Sequence, residues 1–190
     1  PILGMDNSPK MLRTARAKAA NQCLGVDLLK FVKGDMRNFS LGQLFPLVII
    51  PFRSFLLLLS VPEQYQALEA IKRHLTPDGR LIFNAFVPDP ELLSADPSIP
   101  IFEREAKDPT TGHKLLVWHQ NRYDNFNQIV NARTIIERRD EHYNLVDKTW
   151  RDYQLRYLYR FEALHLLRSC GYRILDIYGS FDREPSDESS

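Results

Sequence analysis

The chain has 190 residues, 44% of them hydrophobic and 26% charged, which fits one folded domain and argues against a disordered tract. Lys and Arg number 25 against 24 Asp and Glu, a formal charge of +1, so no excess of either sign points to nucleic acid or to an anionic membrane. Cys23 and Cys170 make no disulfide framework and lack metal-ligand spacing, so a reducing, cytoplasmic setting is the default expectation and no metal site is expected.

Residues 44–61 are mostly apolar, but Pro46, Pro51 and Arg53 interrupt them. A membrane-spanning helix needs about 20 uninterrupted apolar residues, so a buried strand followed by an apolar loop fits better and no membrane association is expected. No basic segment leads into an apolar one at the start, so no signal peptide is read. The chain opens at Pro1 without an initiator Met, and residues 186–190 are polar and without pattern. The expectation is a fragment cut at both ends of a larger domain.

Residues 2–5 read as a short strand ending at Asp6. Ser8 is a good N-cap and Pro9 suits the first helical position, and Met11, Leu12, Ala15 and Ala19 then recur at helical spacing to about Asn21. Residues 28–32 are a second strand, closed by Gly34-Asp35. Residues 47–50 are a third, a continuous apolar run expected to be covered on both faces. Residues 62–75 are a helix, 76–79 a turn and 80–86 a fourth strand. Strands alternating with helices predict a doubly wound α/β sheet.

The pattern changes after Phe86. Five prolines make residues 87–111 an irregular connection with at most one helical turn. Residues 115–123, 128–138 and 148–157 have strand character and predict an antiparallel meander inserted into the α/β domain. Residues 160–169 are a helix with Gly171 as its C-terminal cap, and 172–178 a last strand. The predicted division is 1–87 for an α/β part, 88–159 for the insertion and 160–190 for a closing helix and strand.

In doubly wound folds, ligands lie at the carboxyl ends of the strands. Asp6 sits at such an end, where a carboxylate can accept both hydroxyls of a ribose or can simply start a helix. Nicotinamide dinucleotides use an acid at the same place, so the cofactor class stays open here. Gly34-Asp35 ends the next strand. Its acid can accept from an adenine amino group while the following N–H meets a ring nitrogen, or the pair can be plain turn chemistry.

The segment Gly4-Met5-Asp6-Asn7-Ser8-Pro9-Lys10-Met11-Leu12 resembles the second-strand motif of class I S-adenosylmethionine-dependent methyltransferases. Gly34-Asp35-Met36-Arg37-Asn38-Phe39 resembles that family's adenine-binding turn. Residues 47–55 are similar to its fourth strand and following loop, and 68–82 to its next helix, turn and strand. The late insertion resembles, more loosely, that of sugar and amine N-methyltransferases.

The resemblance implies a Rossmann-like methyltransferase sheet with an antiparallel β insertion, its first and last strands lying outside the chain. It implies S-adenosylmethionine as cofactor and a small-molecule acceptor. Asp6 would hold the ribose with Asn7 beside it, Met11 would pack nearby, and Asp35 and Met36 would hold the adenine. Pro51 and Phe52 would flank the methionine part, with Arg53 close to the transferred methyl. Three departures stand out. The Gly-rich loop before the second strand is absent, Pro46 replaces an acid, and Leu56-Leu57 replace polar residues.

Methyl transfer needs alignment more than acid–base help, so no triad is expected. None of the five histidines pairs at ligand spacing, and His165 reads as a packed residue of an apolar helix. The insertion carries Trp118, Tyr123, Trp150, Tyr153, Arg156, Tyr157 and Tyr159. Tyr123, Arg156 and Tyr157 are candidates for the acceptor, through cation–π contact or pairing with an anion. The same residues suit a subunit interface, and a homodimer is one expectation. Tyr153, Leu155 and Tyr157 share one face by alternation and Gln154, Arg156 and Leu158 the other, with nothing in the sequence to say which faces a pocket. Rival readings are a nicotinamide-dependent oxidoreductase and a non-catalytic association module.

Overall fold

In the computed structural model, residues 1–25, 27–88 and 90–185 are described, and residues 186–190 lie outside them. The chain divides into two units, residues 1–50 with 61–83 and residues 51–60 with 84–185. Ten residues after the third strand, 51–60, belong with the second unit.

In the first unit, β1 (Ile2–Asp6) pairs in parallel with β2 (Leu29–Lys33), from Ile2 opposite Leu29 to Asp6 opposite Lys33. Between them runs α1 (Pro9–Asn21). Ser8 caps it by accepting from the Met11 N–H at 3.3 Å, Pro9 fills a position whose N–H has no helical partner, and Leu12 and Ala19 are buried. A second parallel pair joins β3 (Phe45–Ile50) to β4 (Leu75–Phe83), with α2 (Val61–Lys72) between them in sequence. β1 and β3 make no ladder with each other.

Three details differ from expectation. The strand β4 begins at Leu75, and the predicted turn at 76–79 bulges within it. Pro46 has no N–H to donate, and the register steps from Phe45 opposite Leu75 to Leu47 opposite Arg80. Gly79 is required in that bulge, because a Cβ would stand 2.9 Å from the Thr76 backbone and 3.0 Å from the Phe45 carbonyl. Leu47 and Ile49 are exposed and only Ile50 of β3 is buried, so this two-stranded sheet is not covered on both faces.

In the second unit a single 3-10 turn at Ser54–Leu57 buries Phe55 and Leu56 completely. After α3 (Pro90–Ser94) comes an antiparallel sheet of four strands in sequence order: β5 (Ile101–Lys107), β6 (Lys114–Asp124), β7 (Ile129–Arg139) and β8 (Leu145–Arg156). The sequence reading missed β5, whose alternation is broken by an extra residue at Glu103 between the pairs Phe102–Trp118 and Arg104–Val117. The helix α4 (Arg160–Ser169) follows as predicted, with Gly171 at φ 73° just past its C-cap. Residues 172–178 form no strand, and Tyr178 makes only an isolated bridge with Pro185. His165 of α4 is exposed rather than packed.

The buried histidine is His74, 7% exposed, just beyond α2. Its Nδ1–H donates to the Ala70 carbonyl at 2.7 Å, its Nε2 accepts from the Leu41 N–H at 3.1 Å, and its ring lies 4.4 Å from that of Phe39. This one side chain ties the loop after β2 to the end of α2. Replacing it leaves a donor and an acceptor without a partner. His74→Ala is expected to lower stability by about 2 kcal/mol. Urea unfolding measures this, and an unchanged midpoint would show that the loop is held elsewhere.

Candidate functional site

The two predicted acids of the first unit emerge from adjacent parallel strands. Asp6 closes β1, and its carbonyl accepts from the Gly34 N–H at 3.1 Å, immediately before Asp35. Asp6 Oδ1 accepts from the Ser8 N–H at 2.7 Å, so the helix-start role is real, while Oδ2 has no partner among the described residues. Gly34 has a steric reason: a Cβ there would lie 2.5 Å from the Met5 sulfur. Met36 is half-buried and its N–H makes no hydrogen bond among the described residues. Asn7 and Met11 are exposed at the start of α1.

Asp35 is not a bare turn residue. Its Oδ1 accepts from the Arg37 backbone N–H at 2.9 Å and from Arg37 Nε at 3.0 Å, and its Oδ2 accepts from the far guanidinium nitrogen at 2.6 Å. These hydrogen bonds, side chain first and backbone second, hold the Asp35 carboxyl below the ordinary carboxylate range. The other end of the guanidinium donates to Glu63 in the first turn of α2, also at 2.6 Å. Neither Arg37 nor Glu63 was marked as functional by the sequence. The i, i+2 spacing of Asp35 and Arg37 carried the only local signal.

In the second unit, residues 51–54 form a turn in which two successive non-glycine residues are left-handed, Phe52 at φ 54° and Arg53 at φ 58°. Each such residue costs about 1–3 kcal/mol and persists only where its surroundings enforce it. Here the Pro51 carbonyl accepts from the Ser54 N–H and hydroxyl, the Arg53 N–H donates to Asn84 Oδ1 at 3.1 Å, and the buried Phe55 and Leu56 anchor the chain beyond. The Phe52 side chain is 93% exposed, and Pro51 is exposed as well. The Arg53 guanidinium lies 5.0 Å from the centre of the Phe86 ring.

Phe86 packs in turn on a cluster of Val130, Ala132 and Tyr157, with Leu93, Tyr123, Tyr153 and Leu155 around it. The structure thus settles the facing of β8 that alternation left open: Tyr153, Leu155 and Tyr157 share the face that meets Phe86. Arg53, Tyr123 and Tyr157 are brought together. Tyr157 has no exposed surface, however, and its hydroxyl donates to Asn125. Burial pushes its phenol pKa up. It supports the rings of Tyr123 and Tyr159, 6.3 and 5.6 Å away, rather than presenting itself to a ligand. Arg156 departs from expectation too. It lies on the opposite face, paired with Glu162 at 3.5 Å and bonded to Gln128. Asn84 and Phe86 are the residues sequence reasoning missed, because they follow the last paired residue of β4 with no motif around them.

The cluster's face continues along β6 and β7 to a polar group. His119 Nε2 meets Glu103 at 2.6 Å, and its Nδ1 meets the Thr134 hydroxyl at 3.3 Å. The extra residue in β5 places Glu103 there, which sequence spacing did not show. No three potential metal ligands cluster, and no helix is long and apolar enough to cross a membrane, among the described residues.

Residues 1–79 match the family model described as "Methyltransferase domain". No curated protein matches the chain. Similar solved structures include the CcbJ methyltransferase from Streptomyces caelestis, 23% identical with a TM-score of 0.78, over 99% of this chain and 70% of that one. Another is CalS10 of Micromonospora echinaspora with S-adenosylmethionine bound, an amino pentose methyltransferase of calicheamicin biosynthesis, 20% identical with a TM-score of 0.72 over 96% and 70%. A third is the sugar N-methyltransferase KedS8 from a Streptoalloteichus species, 17% identical with a TM-score of 0.69 over 89% and 62%. Residues 1–79 thus match a methyltransferase-domain model, and the chain as a whole shares the fold of these solved methyltransferases.

Proposed function

We propose that the chain methylates an amino nitrogen of a small, sugar-like acceptor, holding S-adenosylmethionine at the paired carboxylates of β1 and β2. The observation that carries this reading is the emergence of Asp6 and Asp35 from adjacent parallel strand ends, with Gly34 N–H locked onto Asp6. The residues present fit an adenosine. Asp6 Oδ2 is available to accept from ribose hydroxyls, the Met36 N–H to meet a ring nitrogen, and Asp35 to accept from the amino group. When bound, the cofactor supplies a methyl group on a sulfonium whose departure as a thioether needs no acid.

The chain's own work is therefore positioning. Pro51 and Phe52 are proposed for the methionine part on their motif resemblance alone. Arg53, braced on Phe86, pairs with an anionic group of the acceptor, and Tyr123 offers a ring edge. The acceptor class draws on the similar structures, two of which are described as acting on an amino pentose and on a sugar nitrogen. A cytoplasmic setting agrees with Cys23 and Cys170 forming no disulfide.

For assembly we propose a homodimer through the other face of the four-stranded sheet. Phe102, Trp118, Ile135 and Trp150 stand directly opposite one another across β5–β8. Trp150 is 63% exposed and Phe102 49%. Beside this row Arg133 and Asp152 face each other at 2.6 Å, one charge of each sign, which a two-fold mate can exchange. Trp150→Glu is expected to reduce the assembly to single chains in light scattering. Retention of the dimer would move the interface off this face.

Asp6→Ala is expected to weaken S-adenosylmethionine binding by about 1.5–3 kcal/mol, the range for a hydrogen bond to a charged group. Calorimetric titration checks it, and unchanged affinity would remove Asp6 from the site. The same titration with NAD separates the oxidoreductase reading.

Phe52→Gly separates function from folding. Glycine takes a left-handed φ without strain, so the variant should be about as stable as the parent or up to about 1 kcal/mol more stable. It should nevertheless lose at least tenfold in methyl transfer. Higher stability with full activity would mean that the strained phenylalanine contributes nothing to the site.

A further inference from the structure

We infer that Arg37 and Glu63 are positioning residues that make the adenine subsite selective for a base carrying an amino group. This rests on the proposed cofactor reading and adds to it. Arg37 binds both oxygens of Asp35 through its side chain and a third time through its backbone N–H, at 2.6–3.0 Å, while its remaining nitrogen is fixed by Glu63 from α2 at 2.6 Å. The guanidinium is thus held at both ends between two segments 26 residues apart in sequence.

An exposed ion pair of this kind adds little to stability, because solvent screens it and two long side chains must be ordered. Arg37 and Asp35 side chains are 43% and 40% exposed, so stability is a weak reason for so complete a bracket. Its geometric effect is stronger. A carboxylate has about four lone-pair directions. Oδ1 receives the backbone N–H and Nε, and Oδ2 receives the terminal guanidinium nitrogen at 2.6 Å, with Nε a longer contact at 3.2 Å. One direction on Oδ2 is left, in a fixed rotamer and on an ionised group. It can only accept. An exocyclic amino group donates to it, and a carbonyl oxygen at the same place on a purine is repelled. A flexible Asp35 could turn away from such a carbonyl, but a bracketed one cannot. The selectivity therefore depends on Arg37 and, through it, on Glu63.

The test compares S-adenosyl-L-homocysteine with S-inosyl-L-homocysteine, which has a carbonyl in place of the amino group and a hydrogen on the adjacent ring nitrogen, the second change being common to the parent and both variants. Calorimetric affinities are measured for the parent chain, Arg37→Lys and Glu63→Gln, each checked for folding by circular dichroism. The parent should prefer the adenosyl compound at least tenfold. Arg37→Lys, which keeps the charge but loses the planar fork, should cut that ratio to threefold or less, and Glu63→Gln should give an intermediate ratio. Equal losses for both ligands, with the ratio intact, would make the bracket merely structural and overturn the inference. A parent that binds both compounds equally would overturn it while leaving the cofactor reading standing. A parent that binds neither would overturn both. If Arg37→Lys does not fold, Glu63→Gln alone decides by the same ratio.

Discussion

The parallel ladder between β1 and β2 is the constraint on which the placement of Asp6 and Asp35 depends. Its register ends with Asp6 opposite Lys33, and the next N–H, from Gly34, still bonds to Asp6. Two carboxylates are thereby delivered to neighbouring strand ends, although 29 positions separate them in the chain. A slip of one residue would turn every side chain of one strand to the other face and separate the pair. Side-chain contacts guard the register. Gly4 lies against the Phe31 ring and Gly34 against the Met5 sulfur, with no room for a Cβ at either. Arg16 of α1 ties the helix to the Phe31 carbonyl.

The second unit handles strain rather than register. Two left-handed residues in succession cost about 2–6 kcal/mol together. Full burial of Phe55 and Leu56 directly after them returns about 1.5–3 kcal/mol each, and Asn84 satisfies the Arg53 N–H that the turn exposes. The strained pair and its two buried anchors lie within five residues, and Asn84 adds one bond from 31 positions away. What it presents is one wholly exposed aromatic and one guanidinium braced on Phe86. Neither placement serves the packing of the core.

Much of this was legible in the sequence, and the reasons are specific. The Ser8-Pro9 start of α1, the apolar run of β3 and the Gly-Asp after β2 follow from backbone chemistry that acts within a few residues. The partners that complete the site do not. Glu63 reaches Arg37 across 26 positions, Phe86 reaches Tyr157 only through the fold, and Asn84 carries no motif. Alternation puts Arg156 and Tyr157 on opposite faces of β8 and says nothing about which of them meets Phe86. Residues 172–178 have strand composition but meet no ladder, since strand propensity is realised only where a neighbour supplies hydrogen bonds.

The four-stranded sheet shows how one element carries two different surfaces. Because side chains alternate, its rows separate cleanly. Phe102, Trp118, Ile135 and Trp150 form an aromatic and aliphatic row on one side, and Ile101, His119, Thr134 and Arg151 a mixed row on the other. Uninterrupted alternation through β5 would put Arg104 on the side of Phe102. The extra residue at Glu103 resets the strand, so that Arg104 falls opposite Val117 and Glu103 reaches His119. The bulge therefore keeps Glu103 and Arg104 off the apolar row and delivers a carboxylate to the histidine, while Glu105 falls opposite Leu116 on the side of that row. Deleting Glu103 would restore plain alternation, with Phe102 still opposite Trp118 and Arg104 still opposite Val117, so the register of β5 would hold and His119 alone would lose its carboxylate.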